Sequence, residues 1–299
     1  MKISTINTGH INRTYLVENR TGKYILQSLN QKVFRSPEKV INNIRKIEQA
    51  FRESGERSVT VPHYLTAKEK SLIEANGEVW RVYEYTEQSD FPENCDYLTG
   101  YAFGKFINIL NNTDLKLETT IEKFHDFDRY YDRFINLDGK TDPDIIKRLD
   151  RLKKTLSQIF TPDFPVRNVH NDAKTNNIVF GQKITIIDLD TAMSGFVAVD
   201  YGDMIRSGGI KAIESITHDF ADGLNGMLTI EEINSLYYGI LYVTGELALR
   251  YFYDWLSGDR YFVTKTPEQC YKRAEELMSQ LDYFEKNSDS IKKIINKAF

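Results

Sequence analysis

His170-Asn171-Asp172-Ala173-Lys174-Thr175-Asn176-Asn177, followed by Ile184-Thr185-Ile186-Ile187-Asp188-Leu189-Asp190, is the stretch whose reading decides the fold. An acid stands in a short loop, an amide follows five residues on, and a second acid ends an apolar run eleven residues later. Val166 to Val169 leads into the loop, and Ile178-Val179-Phe180 reads as a short buried strand after it. Gly181-Gln182-Lys183 is a turn, and Ile184 to Ile187 is a second, β-branched strand. Such a hairpin brings Asn177 beside Asp188, so that one divalent ion could touch both. This is the order of parts in a phosphoryl-transfer site. There the first Asp takes the proton of the attacking hydroxyl, while the Asn and the later Asp hold magnesium on the phosphates. Asp172 fits the base, Asn177 and Asp188 fit the metal ligands, and the Lys174 ammonium is within reach of the transferred group. A plain polar turn is the alternative, since Asn and Asp favour turns. It does not account for four role-matched residues in the right order.

Working outward, the other parts of such an enzyme are sought upstream. Thr8-Gly9-His10-Ile11-Asn12-Arg13 lies between strand-like runs, Lys2 to Ile6 and Tyr15 to Val17. Polar residues around Gly9, with His10 and Asn12, suit a loop whose backbone amides cover phosphates. A one-glycine hairpin would look the same. Lys23 to Gln27 is a strand whose end should carry a phosphate-binding lysine. That position is Gln27. Pro37 to Phe51 is a helix with Val40, Ile44, Ile47 and Phe51 on one stripe and Ser36 as N-cap. Glu48 lies at the margin of that face, placed either to orient the side chain at Gln27 or to be solvated. A local Lys or Arg is a candidate substitute for the missing cation, and the sequence does not say which. Val79 to Tyr85 alternates as a strand, and Thr86 to Asp90 would connect two lobes and offer its backbone to an adenine.

Composition sets the bounds. With 299 residues, 41% hydrophobic and 27% charged, the chain is expected to pack a soluble core rather than stay disordered. A net charge of −4 and no basic run with interleaved aromatics argue against a nucleic-acid surface. Cys95 and Cys270 are the only cysteines, lack metal-ligand spacing, and read as free thiols of a reducing compartment. No apolar run approaches bilayer length, so no membrane partner is expected and the cytoplasm is the default location.

Beyond the connecting stretch the pattern turns helical. Tyr97 to Leu110, Ile145 to Ile159, Asp200 to Ile205, Ile233 to Tyr251 and Pro267 to Phe284 all show helical spacing. The expected class is α+β: a two-lobed, protein-kinase-like fold with a small β-rich N-lobe over 1–88 and a larger, mainly helical C-lobe over 89–299. Glu246, Arg250 and Asp254 follow at four-residue steps, which usually means a surface stripe of weak ion pairs. Tyr261 reads equally as a core aromatic. His125 and Asp126 sit in a polar break, able to reach a substrate hydroxyl or to cap the next helix. Asp190 would share a second metal or hold its loop by accepting backbone amides. Arg206 would meet a phosphate or pair with Asp203.

The His170-Asn171-Asp172 loop with Asn177 and the Ile-Asp-Leu-Asp run resembles the aminoglycoside phosphotransferase and choline kinase superfamily. Within it the chain is similar to the N-acetylhexosamine 1-kinase branch. The similar segments run in order along nearly the whole chain: Gly-His-Ile-Asn at 9–12, Tyr-Ile-Leu-Gln at 24–27, Trp-Arg-Val-Tyr at 80–83 and Phe-His-Asp at 124–126. Ile-Asp-Leu-Asp-Thr at 187–191, Asp-Tyr-Gly-Asp-Met-Ile-Arg at 200–206 and Gly-Asp-Arg-Tyr-Phe at 258–262 complete them. Gln27 lies inside one of these segments, so its departure from lysine counts less against activity. The chain begins almost at its phosphate loop, short of the N-terminal extension the resemblance leads one to expect. The resemblance implies ATP and magnesium as cofactors and the anomeric hydroxyl of N-acetylglucosamine or N-acetylgalactosamine as acceptor. It implies Asp172 as base, Asn177 and Asp188 on the metal, Arg250 and Tyr261 on the sugar, and Asp200 holding the catalytic loop. Choline, ethanolamine or an aminoglycoside on the same scaffold is the rival acceptor class, which Arg250 opposes because such acceptors are cations. A nucleotide-binding protein without catalysis is the third reading, motivated by Gln27 and opposed by the intact Asp172, Asn177 and Asp188 set.

Overall fold

The computed structural model describes residues 1–6, 11–66, 69–88, 98–137, 142–258, 261–262, 264 and 266–299. Strands β1 (Lys2–Ile6), β2 (Arg13–Asn19) and β3 (Gly22–Ser28) form an antiparallel meander. After them come helix α1 (Pro37–Ser54), the two-residue strand β4 (Val59–Thr60), and strands β5 (Ile73–Ala75) and β6 (Glu78–Glu84). The five-stranded sheet has the order β1-β2-β3-β6-β5. Its register sets Thr14, Gln27 and Arg81 directly opposite one another on β2, β3 and β6. Residues opposite each other share a sheet face, so these three polar side chains form one row.

Helix α1 forms where expected and runs one turn further. Val40, Ile41, Ile44, Ile47 and Phe51 bury its apolar stripe. Pro37 opens it, and Gly55, at φ 70, closes it in the left-handed conformation that glycine tolerates. Ser36 stands at the N-cap but makes no side-chain capping hydrogen bond, so the fixed φ of Pro37 is what starts this helix. Asn43, wholly buried in the middle of α1, donates from Nδ2 to the carbonyls of Glu118 (2.8 Å) and Ala192 (3.0 Å). Its Oδ1 accepts from the Glu118 N–H at 2.8 Å.

The rest is mainly helical: α2 (Leu98–Asn111), α3 (Phe127–Ile135), α4 (Pro143–Ile159), α5 (Val197–Gly208), α6 (Ile213–Leu224), α7 (Ile230–Ser257), α8 (Pro267–Lys286) and α9 (Ser288–Ala298). Between α4 and α5 lie four short strands, β7 (Arg167–Val169), β8 (Ile178–Phe180), β9 (Ile184–Ile186) and β10 (Met193–Gly195). The two-lobed α+β architecture is therefore present. The divide drawn at residue 88 adjoins 89–97, which lie outside the described residues, as do Tyr97 and Cys95. The two lobes also share a sheet, because β4 adds in parallel to the β8–β9 hairpin.

Helix α7 is the central post of the larger lobe. A capping box starts it, with Thr229 and Glu232 satisfying each other's backbone N–H groups. Helix α5 crosses α7 where Gly202 meets Gly239, and a Cβ on either would run into backbone of the other helix. Two glycines at the crossing let the backbones approach, and that approach seats Asp200 of α5 beneath the catalytic loop.

Candidate active site

The β8–β9 hairpin does what the spacing requires. Ile178 pairs with Ile186, and the Ile187 N–H donates to the Asn177 carbonyl at 2.9 Å, which sets Asn177 and Asp188 at adjoining ends of two strands. A single 3-10 turn, Thr175–Asn177, folds the loop back on itself. Asn177 Nδ2 then donates to both Oδ2 and the backbone carbonyl of Asp172, each at 2.8 Å. Lys174 Nζ lies 2.8 Å from the same Asp172 Oδ2. Burial pushes the Asp172 carboxyl up, but Lys174, His170 and Asn177 together outweigh it and hold the group below its usual value. Asp172 is thus ionised, as a base must be.

Asp200 holds this loop as expected. It is fully buried, and its two oxygens accept the N–H groups of His170 and Asn171, both at 2.7 Å. His170 is a structural residue. Its Nε2 donates to the Ile187 carbonyl at 3.0 Å, and its ring packs edge-on against Phe103. Burial keeps that imidazole neutral by lowering its pKa. Asn171 takes a positive φ of 61° and donates from Nδ2 to the carbonyls of Thr191 and Met193. The Asn171 amide therefore ties the loop of Asp172 to the backbone that follows Asp188.

Asp188 itself sits at φ 61, ψ 52, a left-handed conformation unusual for a side-chain-bearing residue and frequent at functional sites. Burial first, then the charges of Asp190 and Asp172, raise its carboxyl to about 7. Asp190 is fully buried, with Oδ1 2.6 Å from Arg81 Nη1 and Oδ2 accepting from Asn12 Nδ2 at 2.8 Å. The carboxylate expected to share a metal is occupied by protein donors instead.

On the N-terminal side, Gly9 and His10 lie outside the described residues. Asn12 is placed between Asp190 and the Asn30 N–H, which its Oδ1 accepts at 2.9 Å. Gln27 does not meet Glu48. Its Oε1 accepts from Arg81 Nε at 3.0 Å and Nη2 at 2.5 Å, and its Nε2 donates to Thr14 Oγ1 at 3.1 Å. Glu48 is bound by His63 Nδ1 at 2.9 Å and the Tyr64 N–H at 3.0 Å, so the role of orienting the side chain at Gln27 passes to Arg81.

The stripe on α7 is not on the surface. Glu246 and Asp254 are buried, and the Arg250 side chain is 12% exposed. The reason is the segment after α7, which folds back over it: the Phe262 N–H donates to Asp254 Oδ2 at 2.9 Å, and Phe262 stacks on Tyr251. The Arg250 guanidinium is walled by rings, with centroids of Tyr261 at 4.8 Å, Tyr130 at 5.2 Å, Phe262 at 5.4 Å and Phe124 at 5.9 Å. Tyr261 is 39% exposed and so is no core residue. Glu246 Oε1 lies 3.5 Å from Arg250 Nη1, and its Oε2 lies 2.8 Å from His125 Nδ1. His125 Nε2 donates to the Asn171 carbonyl at 2.7 Å. Both ring nitrogens are thereby engaged, and the cap of α3 falls to Asp126, whose Oδ1 accepts from the Arg129 N–H at 2.9 Å. His125 is a strut from α7 to the catalytic loop rather than a group free for a substrate. Arg206 pairs with Asp203, its Nε 3.0 Å from Oδ1.

Residues 2–233 match the sequence model of the phosphotransferase enzyme family, APH. The chain belongs to that family. Among solved structures it is similar to a microcompartment-associated aminopropanol kinase, with a TM-score of 0.70 and 16% identity over 97% of this chain and 93% of that one. It is similar also to a choline/ethanolamine kinase family protein from Mesorhizobium loti, with a TM-score of 0.65 and 13% identity over 98% and 92%. A spectinomycin phosphotransferase in complex with ADP and spectinomycin gives 0.64 and 16% over 95% and 93%. At these identities the likeness shows the fold. The protein is a phosphotransferase. Among the described residues of this phosphotransferase, no helix is long and apolar enough to cross a membrane.

Arg81 and Glu246 were missed by the sequence reading. The signal for Arg81 was present: it shares the inward face of an alternating strand with Val79, where a cation is out of place unless paired.

A pH effect follows from His125 in this phosphotransferase. Burial opposes its charge, but Glu246 and the Asn171 carbonyl raise its pKa to about 9 from the usual 6.5. A histidine with a raised folded pKa stabilises fully below about pH 6.5 and loses that contribution as pH rises through about 9. The amount is on the order of 3 kcal/mol. Melting curves should therefore show wild type losing stability between pH 6.5 and 9 while His125→Gln stays nearly level. Parallel curves for the two would remove the His125–Glu246 pair from the stability of the loop.

Proposed function

We propose that this phosphotransferase uses ATP and magnesium to phosphorylate the anomeric hydroxyl of an N-acetylhexosamine, giving the sugar 1-phosphate. The supporting observation is the charge of the aromatic wall around Arg250, which His125 joins to the Asn171 carbonyl beside Asp172. Its charged groups include Arg250 and protonated His125, and the Glu246 carboxylate is engaged by both. An aromatic cage of the kind that binds quaternary ammonium groups is present, but Arg250 fills it. A neutral, hydroxyl-rich acceptor suits such a wall, and a cationic amino alcohol or aminoglycoside does not.

The metal reading fits the donor set. Asp188 is a buried carboxyl crowded by like charges, which a divalent cation would relieve. Asn177 spends its amide nitrogen on Asp172 and keeps its carbonyl oxygen for a ligand. Asp188 and Asn177 would hold magnesium, which supplies neutralisation of charge on the phosphates. Lys174, fixed by Asp172, adds a second positive charge toward the transferred group. Asp172 Oδ2 is taken by Lys174 and Asn177, so Oδ1 is the atom left to accept the proton of the acceptor hydroxyl. The groups are held before substrate arrives, which is how positioning and electrostatics lower the barrier in phosphoryl transfer. The proposed setting is the cytoplasm.

The test is ADP release from ATP with a panel of acceptors: N-acetylglucosamine, N-acetylgalactosamine, choline, ethanolamine, aminopropanol and aminoglycosides. Turnover with an N-acetylhexosamine, and a phosphate on C1 of the product, is the expected result. Turnover confined to the cationic acceptors would overturn the sugar reading and leave the family assignment standing.

A further inference from the structure

One buried cation has no task in the chemistry above. Arg81 is 2% exposed and the bulkiest of the fully buried side chains. Gln27 Oε1 receives its Nε and Nη2, Asp190 Oδ1 stands 2.6 Å from its Nη1, and its guanidinium lies 5.3 Å from the Tyr64 ring centroid. Removing a guanidinium from water is expensive, and the close Asp190 carboxylate together with the two hydrogen bonds to Gln27 offsets it. Arg81 belongs to the N-terminal sheet and Asp190 to the turn that begins at Asp188. Asn12, at the other Asp190 oxygen, adds the segment that follows residues 7–10. Three stretches distant in sequence thus converge on one carboxylate.

The geometry points to Arg81 as a positioning residue that keeps Asp190 out of the metal's coordination shell and clasps the N-terminal sheet to the loop carrying Asp188, an inference that rests on the nucleotide and magnesium reading above. Magnesium in nucleotide enzymes is held by one or two carboxylates together with the phosphates and keeps much of its water. Asp188 and Asp190 are two residues apart on one short turn. With Asp190 free, the ion would face one carboxylate too many, bind without nucleotide, and be drawn away from the phosphates. Arg81 sets the count by occupying Asp190 Oδ1.

The same arrangement explains why residue 27 is a glutamine. A lysine there would put an ammonium directly across from Arg81, in a buried row where like charges repel strongly. An amide can instead donate to Thr14 with one end and accept from Arg81 with the other. Gln27 and Arg81 are therefore one device: the amide aims the guanidinium, and the guanidinium occupies the acid.

The probe is Mn2+, with and without ADP, titrated calorimetrically into the full chain. In the presence of ADP, Asp188→Asn should lose ~10-fold or more in Mn2+ affinity, while Asp190→Asn should stay within about threefold of wild type. Without ADP, Arg81→Met should bind Mn2+ ~10-fold more tightly than wild type, because a freed carboxylate adds to the ligand charge. Arg81→Lys, which keeps a cation for Asp190, and the double variant Arg81→Met/Asp190→Asn should both return to wild-type affinity. The inference is overturned if Asp190→Asn loses as much as Asp188→Asn, or if folded Arg81→Met binds Mn2+ as wild type does. Should Arg81→Met not fold, the comparison of Asp190→Asn with Asp188→Asn decides alone. A wild-type chain that binds no Mn2+ with ADP defeats the nucleotide and metal reading itself; binding with the overturning variant results defeats only the clasp.

Discussion

Asp172→Asn is expected to lower turnover by ~10²-fold or more, within the usual range for loss of a general base, while nucleotide affinity changes little. The carboxylate is ionised under the pull of Lys174, and an amide in its place has no basic oxygen of comparable strength. The substitution is nearly isosteric, and the loop around it is held mainly by Asp200 and Asn171, not by Asp172. Folding should therefore survive, and the loss should appear in kcat rather than in melting temperature. An anomeric hydroxyl is more acidic than an ordinary alcohol, so a sugar acceptor should show a smaller loss than an amino alcohol would. A steady-state assay of ADP release, run beside calorimetric binding of ADP, separates the two quantities. Wild-type-like turnover in the variant would remove Asp172 from the base role.

Asp188→Ala is expected to do two opposite things. Magnesium-dependent activity should be lost at ordinary metal concentrations, because the remaining ligand, Asn177, offers only an uncharged oxygen. The metal-free protein, by contrast, should become more stable at neutral and alkaline pH. The Asp188 carboxyl is raised from 3.8 to about 7 by burial and by its neighbours Asp190 and Asp172. A raised carboxyl contributes stability that is whole below about pH 4 and is lost as pH rises through about 7, so the ionised group works against the fold there. Melting curves in a chelator should show wild type falling across that window and Asp188→Ala falling less, the remainder belonging to Asp200, whose buried carboxyl is also raised to about 7. Magnesium added together with ADP should raise wild type above its value with ADP alone and give the variant no such gain. A variant that keeps full activity, or melts no higher than wild type at pH 8, would contradict the placing of this carboxyl at a metal site.

The catalytic loop was legible because its constraint is local. Strand, turn and strand are each written in adjacent residues, and the distance from Asn177 to Asp188 is fixed by one hairpin. The same holds for α1, α4 and α7, whose apolar stripes repeat within a single element. What was not legible depends on register between distant segments. Nothing in Lys23 to Gln27 announces that Arg81 stands opposite Gln27, because that pairing is set by how two strands far apart in the chain align. The α7 stripe failed for a related reason. Four-residue spacing of Glu246, Arg250 and Asp254 says that they share a helix face, but not that Tyr261 and Phe262 will fold over it. Glu48 was drawn toward Gln27 by analogy of position, whereas the nearer donors, His63 and the Tyr64 N–H, won.

The amide of Asn43 has a consequence for control. In enzymes governed by signals, the corresponding helix can swing away to silence the site, and the swing must be cheap. Here the middle of α1 is bolted by its buried amide to the backbone at Glu118 and Ala192, one between α2 and α3 and one just past Asp190. Swinging it out would strand these polar atoms away from water, at about 1–3 kcal/mol for each. A helix fastened this way resists being swung out, so the groups packed against it keep their places.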